Sequence, residues 1–191
     1  MKVSITEQKQ TVIPTGTYNA DRVHSSVAFE VEYMGIGAFG GTVTDFEATL
    51  ENGRLSGSAR IESLATKDEN LHAHLMSPEF FDAERHPVVS FSTEHARVTG
   101  SNATGSSVTG SSVELTGEIT IKGVTRPATL TGTIVGPKTD PYGNERYGLK
   151  LETAVDRTAF GITWNNDMPN GTKALADEVT LKADLSLVKA A

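Results

Sequence analysis

The 191-residue chain contains no cysteine. That excludes disulfides, iron–sulfur clusters, thiolate zinc sites and thiol nucleophiles. Positive charge is in the minority, with 17 Lys and Arg against 24 Asp and Glu and a net charge of −7. A surface of that sign repels a phosphate backbone, so no nucleic-acid partner is expected. No stretch approaches the ~18 apolar residues of a membrane-spanning helix. The opening "MKVSITEQKQ" has no apolar core of about seven or more residues, as a secretory leader would. The expectation is therefore a cytoplasmic protein without a transmembrane segment. Proline-rich linkers, long charge runs and repeats of fixed period are also lacking. The chain reads as a flexible N-terminal segment over residues 1–15 followed by a single domain over 16–191.

What is abundant is period-two alternation, the pattern of strands with one apolar face. In "VAFEVEYM", Val27, Phe29, Val31 and Tyr33 share a face. In "GRLSGSARI" the shared set is Leu55, Gly57, Ala59 and Ile61; in "VELTGEITI" it is Val113, Leu115, Gly117, Ile119 and Ile121. "YGLKLETAV" aligns Tyr147, Leu149, Leu151 and Val155, and "VTLKADLSL" aligns Val179, Leu181, Ala183, Leu185 and Leu187. Segments 16–21, 42–50, 88–95 and 128–135 bring the expected count to about eight or nine strands. Asn52-Gly53 and Lys122-Gly123 mark tight hairpins, and Asp140-Pro141-Tyr142-Gly143 marks a further turn. The serine-rich tract from Thr99 to Ser112 reads as a long flexible hairpin tip. Antiparallel strands with one apolar face must close into a barrel or pair as a sandwich. The expected fold class is all-β, with the choice between barrel and sandwich open at this point.

One segment breaks the pattern. Thr66-x-x-Glu69 is a capping box, Leu71 and Leu75 are spaced i,i+4, and Ser77-Pro78 looks like a second cap with proline at the first helical position. A short helix and then a helical turn carrying Phe80 and Phe81 are expected, together resembling a flap. On a helix His72 and His74 diverge, and no HExxH or comparable spacing accompanies them, so neither a metal nor any cofactor is expected. Gly35-Ile-Gly-Ala-Phe-Gly40 is formally GxGxxG. A dinucleotide fingerprint needs a helix next, yet strand-like "GTVTDFEATL" follows. His24, His86 and His95 have no acid paired with them by the sequence, and Ser56 lacks the GxSxG setting of a nucleophile. No catalytic residue is assigned.

Alternation nominates the wall of the interior: Phe29, Val31, Tyr33, Ala59, Phe80, Phe81, Val89, Phe91, Gly117, Ile119, Leu149, Leu151, Phe160, Ile162 and Leu181. Glycine and alanine among these positions leave volume unfilled, which favours a cavity over a packed core. Arg157, Trp164 and Asn165, near strand ends, are candidate contacts for a ligand's polar head.

Read in order, "DRVHSSVAFEVEYMGIGAFGG", "LMSPEFFDAERHPVVSF", "LTGEITIKGVTRPATL", "DRTAFGITWN" and "ADEVTLKADLSLV" resemble the YceI-like family of polyisoprenoid-binding proteins. The resemblance covers nearly the whole chain from Gly16. It implies an all-β fold, a closed antiparallel lipocalin-like barrel of about eight strands enclosing an isoprenoid chain, and hence a non-enzymatic carrier or sequestering protein for a polyisoprenoid lipid or isoprenoid quinone. Two rivals stand beside it: an enzyme acting on a lipid in the same cavity, and a protein-interaction module with a filled barrel. A homodimer is left open.

Overall fold

The structure, a computed structural model, describes residues 13–104 and 108–191. Among these residues eleven strands form one antiparallel sheet: β1 (Thr17–Ala20), β2 (Ser26–Tyr33), β3 (Gly37–Val43), β4 (Phe46–Glu51), β5 (Arg54–Arg60), β6 (Leu64–Ala65), β7 (Val88–Thr104), β8 (Val108–Ile121), β9 (Val124–Thr139), β10 (Glu145–Asp156) and β11 (Leu175–Lys189). Among the described residues one α-helix, α1 (Glu69–Met76), lies between β6 and β7.

Closure follows from how β11 is shared. Its C-terminal end pairs with β1, Tyr18 opposite Lys189, while its N-terminal part pairs with β2, Leu181 opposite Phe29. β1 and β2 thus act as one strand bent at residues 21–25, and β3 and β4 as another bent at residues 44 and 45. The ring β1-β4-β5-β7-β8-β9-β10-β11 returns to β1 and makes a closed barrel of eight positions. Closure removes the exposed edges of an open sheet. The expected single strand over residues 42–50 is therefore two. Asp45 sits at the bend and holds Arg22 at 2.6 Å and Arg60 at 3.4 Å.

The turns form as their residues require. Asn52 and Gly53 have φ of 49° and 83°, and Lys122 and Gly123 have 49° and 73°, the paired left-handed conformations of a two-residue type I′ hairpin. Asp140 accepts from the backbone N–H of Tyr142 and of Asn144, both at 2.9 Å, which locks the β9–β10 turn. The tract from Thr99 to Ser112 is not a free tip: its backbone ladder continues to Thr104 opposite Val108, and only residues 105–107 lie outside the described residues. Of the expected flexible N-terminal segment over residues 1–15, residues 1–12 also lie outside them. Ile13 and Pro14 are described, and Pro14 is buried.

Residues 61–87 leave β5 and cross one end of the barrel. Ile61 donates to Pro87 O at 2.9 Å, β6 joins β3 at Val43 and Thr42, and α1 then runs back toward β7. Asp68 is the N-cap of α1, accepting from Leu71 N at 2.8 Å. The expected cap, Thr66, instead donates its hydroxyl to Asp68 O at 3.0 Å, steadying the capping residue.

Candidate functional site: an apolar cavity in one half of the barrel

The inward faces of the strands do two different jobs along the barrel axis. Toward the end holding the β4–β5 turn they are packed solid. Tyr18, Leu50, Val113, Leu115, Ile134, Tyr147, Leu149 and Leu187 are buried there, Leu187 completely. Tyr18 and Tyr147 meet edge to face with centroids 5.3 Å apart. The Tyr18 hydroxyl donates to Glu145 at 2.5 Å, and Lys189 approaches the same carboxylate at 3.3 Å. Burial and the neighbouring carboxylate raise the Tyr18 pKa, while the tyrosine and lysine donors lower that of Glu145.

Toward the other end the same strands face empty space. A cavity of about 220 Å³ lies between them, walled almost wholly by apolar side chains. β2 contributes Phe29 and Val31, β5 Ala59, β7 Val89 and Phe91, β8 Ile119, β10 Leu151 and β11 Leu181. The turn after α1 adds Phe80 and Phe81, and the segment after β10 adds Phe160 and Ile162. Phe29, Val89, Phe91 and Leu181 are only half-buried although they point inward, because their free surface faces the cavity. A space so poor in polar partners does not hold ordered water.

Three expected wall residues lie elsewhere. Leu149 points inward but lies below the cavity floor, in the packed half. Tyr33 is 46% exposed, because β2 has by then run past the barrel rim into its hairpin with β3. Gly117 leaves no space at all: a Cβ there would stand 2.0 Å from Ser92 O. The ladder shifts between Thr93 and His95, and the displaced β7 backbone fills the place of the absent side chain.

Other wall residues escaped the sequence reading. Phe39 and Val43 share the inward face of β3, but the glycines around them read as a bend. The period-two spacing of Phe39 and Val43 was the available signal. Leu64 of the two-residue β6, Leu75 of α1 and Leu175 at the start of β11 complete the closed end.

The candidate head-group contacts are occupied in holding that closure. Arg157 is 5% exposed. Its Nε donates to Ala176 O and its Nη1 to Ile162 O and Trp164 O, each at 2.8 Å, and its Nη2 pairs with Asp177 at 3.0 Å. Asn165 donates to Leu175 O at 2.7 Å and accepts from Leu175 N at 2.9 Å, imitating a strand neighbour. The Trp164 ring packs against His74 and Phe80, at centroid distances of 4.8 and 5.2 Å. These residues fasten the 161–174 loop over the barrel end and do not present free donors at a mouth.

His72 and His74 also hold the closure together. His72 Nδ1 lies 3.0 Å from Leu64 O, and His74 Nε2 lies 2.8 Å from Glu79. Among the described residues no group of three or more His, Asp or Glu could hold a metal. Nor, among them, is any helix long and apolar enough to cross a membrane.

Known proteins share this architecture. The YceI-like domain model matches residues 18–187. A UPF0312 protein of Pectobacterium atrosepticum is 26% identical over 153 residues, spanning 76% of this chain and 74% of its own length. Among solved structures, Burkholderia cenocepacia BcnA superposes with a TM-score of 0.65 at 19% identity, covering 90% of this chain and 99% of its own. A polyisoprenoid binding domain from Saccharophagus degradans gives 0.68 at 8% identity, covering 91% and 98%.

Proposed function

The chain belongs to the YceI-like family, and from that premise we propose that it binds a long apolar ligand, a prenyl chain, inside its barrel and carries or sequesters it without altering it. The observation that supports this reading is the half-hollow interior: a dry apolar cavity built above a packed floor. A relative of the same fold is described as polyisoprenoid binding, and the wall here suits such a chain. Burying one five-carbon unit contributes a gross ~3–4 kcal/mol at ~0.8 kcal/mol per CH₂, most of it offset by ordering and association.

The cavity is small for such a ligand. An apolar void of about 150 Å³ suffices for benzene, whereas drug-sized ligands occupy about 300–1,000 Å³. At about 220 Å³ the space encloses a short prenyl chain or the end of a longer one. Lipid chemistry in the same cavity would need an acid or base facing it. Arg157 is the charged residue that is both buried and part of the wall among those described, and its donors are engaged. A filled barrel serving as an interaction module does not fit a hollow interior.

The test is mass spectrometry of an organic extract of the purified protein, beside titration with a fluorescent prenyl probe. A stoichiometric, chemically unchanged lipid and saturable probe binding are expected. Absence of both, or turnover of the probe, would defeat the proposal.

A further inference from the structure

The ladder between β9 and β10 ends early. Its last pair is Glu152 opposite Thr131, although β10 continues to Asp156 and β9 begins at Val124. On their other sides both strands stay paired: β8 with β9 as far as Ile121 opposite Val124, and β10 with β11 as far as Asp156 opposite Glu178. Two strand edges therefore face each other without pairing, each presenting backbone N–H and C=O groups to the gap. Pro127 lies on this stretch, where a residue without an N–H costs nothing. The gap is a surface groove whose lining includes Thr153, Val155 and Phe160, all three of which also line the apolar cavity. The inner space and the outer groove are separated by one layer of side chains.

How each possible exit is fastened decides between them. The barrel end is held by the Arg157 clamp, the Asn165–Leu175 pair and the His74–Trp164–Phe80 cluster. Lys122 adds bonds to Pro78 O at 2.7 Å and Gly161 O at 3.2 Å, joining the Phe80 turn to the 161–174 loop. The side seam is spanned by Arg126, reaching Ala159 O at 3.4 Å from Nε and 3.3 Å from Nη2. Bonds of that length are weak, and the side chain is exposed.

We infer that the seam between β9 and β10 is the ligand's portal, with Arg126 as its latch, and that the acceptor-bearing head of a partly enclosed prenyl ligand rests there against Arg126 and the strand edges. This rests on the proposed function and adds the route and the head-group site. A chain too long for the cavity leaves through the wall at that point, and its hydroxyl or phosphate oxygen replaces Ala159 O as the guanidinium's acceptor. An anionic head gains most, since a charged hydrogen bond is about twice as strong as a neutral one.

The chain has no cysteine, so a thiol pair can be placed without competition. Continuing the ladder register sets Ala154 opposite Thr129. The variant carrying Thr129→Cys and Ala154→Cys is loaded with a fluorescent prenyl probe before and after cross-linking with a short bismaleimide. Cross-linked protein should retain its probe and release it about tenfold more slowly, because a blocked route acts on rates. Arg126→Ala should speed release, and Lys122→Ala should leave it unchanged. Ala154→Trp, which plugs the groove without a cross-link, should slow it. Arg126→Ala should also weaken competition by farnesyl monophosphate more than competition by farnesol. Release unaltered by both the cross-link and Ala154→Trp, or accelerated by Lys122→Ala, overturns the portal while leaving the cavity reading intact. Equal effects on the two competitors overturn the head-group placement. Failure of the wild-type protein to bind any prenyl probe overturns the function, and the portal with it.

Discussion

At the residue scale, small side chains on the inner face are not equivalent. Ala59 borders open space, whereas Gly117 is covered by the backbone of β7. Gly117→Leu should therefore cost about 3 kcal/mol or more, beyond the usual 1–3 kcal/mol of overpacking, because the obstacle is a carbonyl that cannot rotate away. That lowers the melting temperature by roughly 6–12 °C in a chain of this size. Ala59→Phe should fill the cavity, reducing extractable lipid with a smaller thermal penalty. Thermal unfolding and lipid extraction of both variants check the pair; equal thermal losses would contradict it. Period two showed that both residues point inward, but the ladder shift that covers Gly117 is a two-strand event with no signature in β8 alone.

At the element scale, the 61–87 connection is a cap pinned to the barrel by α1 and the turn after it. Phe80 and Phe81 both reach the cavity, yet Phe80 is 8% exposed and packs on Trp164 and His74, while Phe81 is half-buried. Phe80→Ala should cost about 3–5 kcal/mol and Phe81→Ala clearly less. Denaturant unfolding of the two variants decides it, and a reversed order would show that the cap packs otherwise. The helix was legible from its i,i+4 leucines, a local signal, although its cap is Asp68 and not Thr66. The roles of Arg157 and Asn165 were not, because, Asp177 apart, the partners that fix them are backbone atoms across a loop: Arg157 bonds Ala176 O, and Asn165 bonds Leu175. Backbone atoms carry no residue-type signal.

At the scale of the whole molecule, the packed half is also where the ring closes, and charge helps seal it. Arg146 on β10 binds Asp21 at 2.8 Å in the bend between β1 and β2, and Asp140 at 2.7 Å in the β9–β10 turn. The guanidinium holds Asp21 at about 2 and lowers Asp140 as well, with His24 and Asn144 adding to the effect. Folding thus lowers these pKa values, so the unfolded chain binds more protons in acid. The stabilisation is complete above the ordinary carboxyl value of about 4 and is lost as the pH falls toward 2. Acid titration followed by tryptophan fluorescence should show destabilisation in that window, and Arg146→Met should be less stable at neutral pH but show a shallower loss. A variant with the wild-type slope would assign acid lability elsewhere. Alternating strands and tight turns made the barrel legible. The height of each inward residue along the axis did not, because period two reports a face and not a depth: Leu149 and Leu151 look identical in sequence and fall on opposite sides of the cavity floor.

The hollow half has a mechanical consequence. Unfolding recovers enclosed void as a reduction in volume, so compression works against a structure that keeps empty space. A void of about 220 Å³ per molecule is on the order of 100 mL per mole, at the upper end of the range linked to pressure sensitivity. The unliganded barrel should therefore unfold at markedly lower hydrostatic pressure than the same barrel filled with a prenyl chain or narrowed by Ala59→Phe. High-pressure fluorescence of the three forms reads this directly, and coincident midpoints would mean that the space collapses in solution.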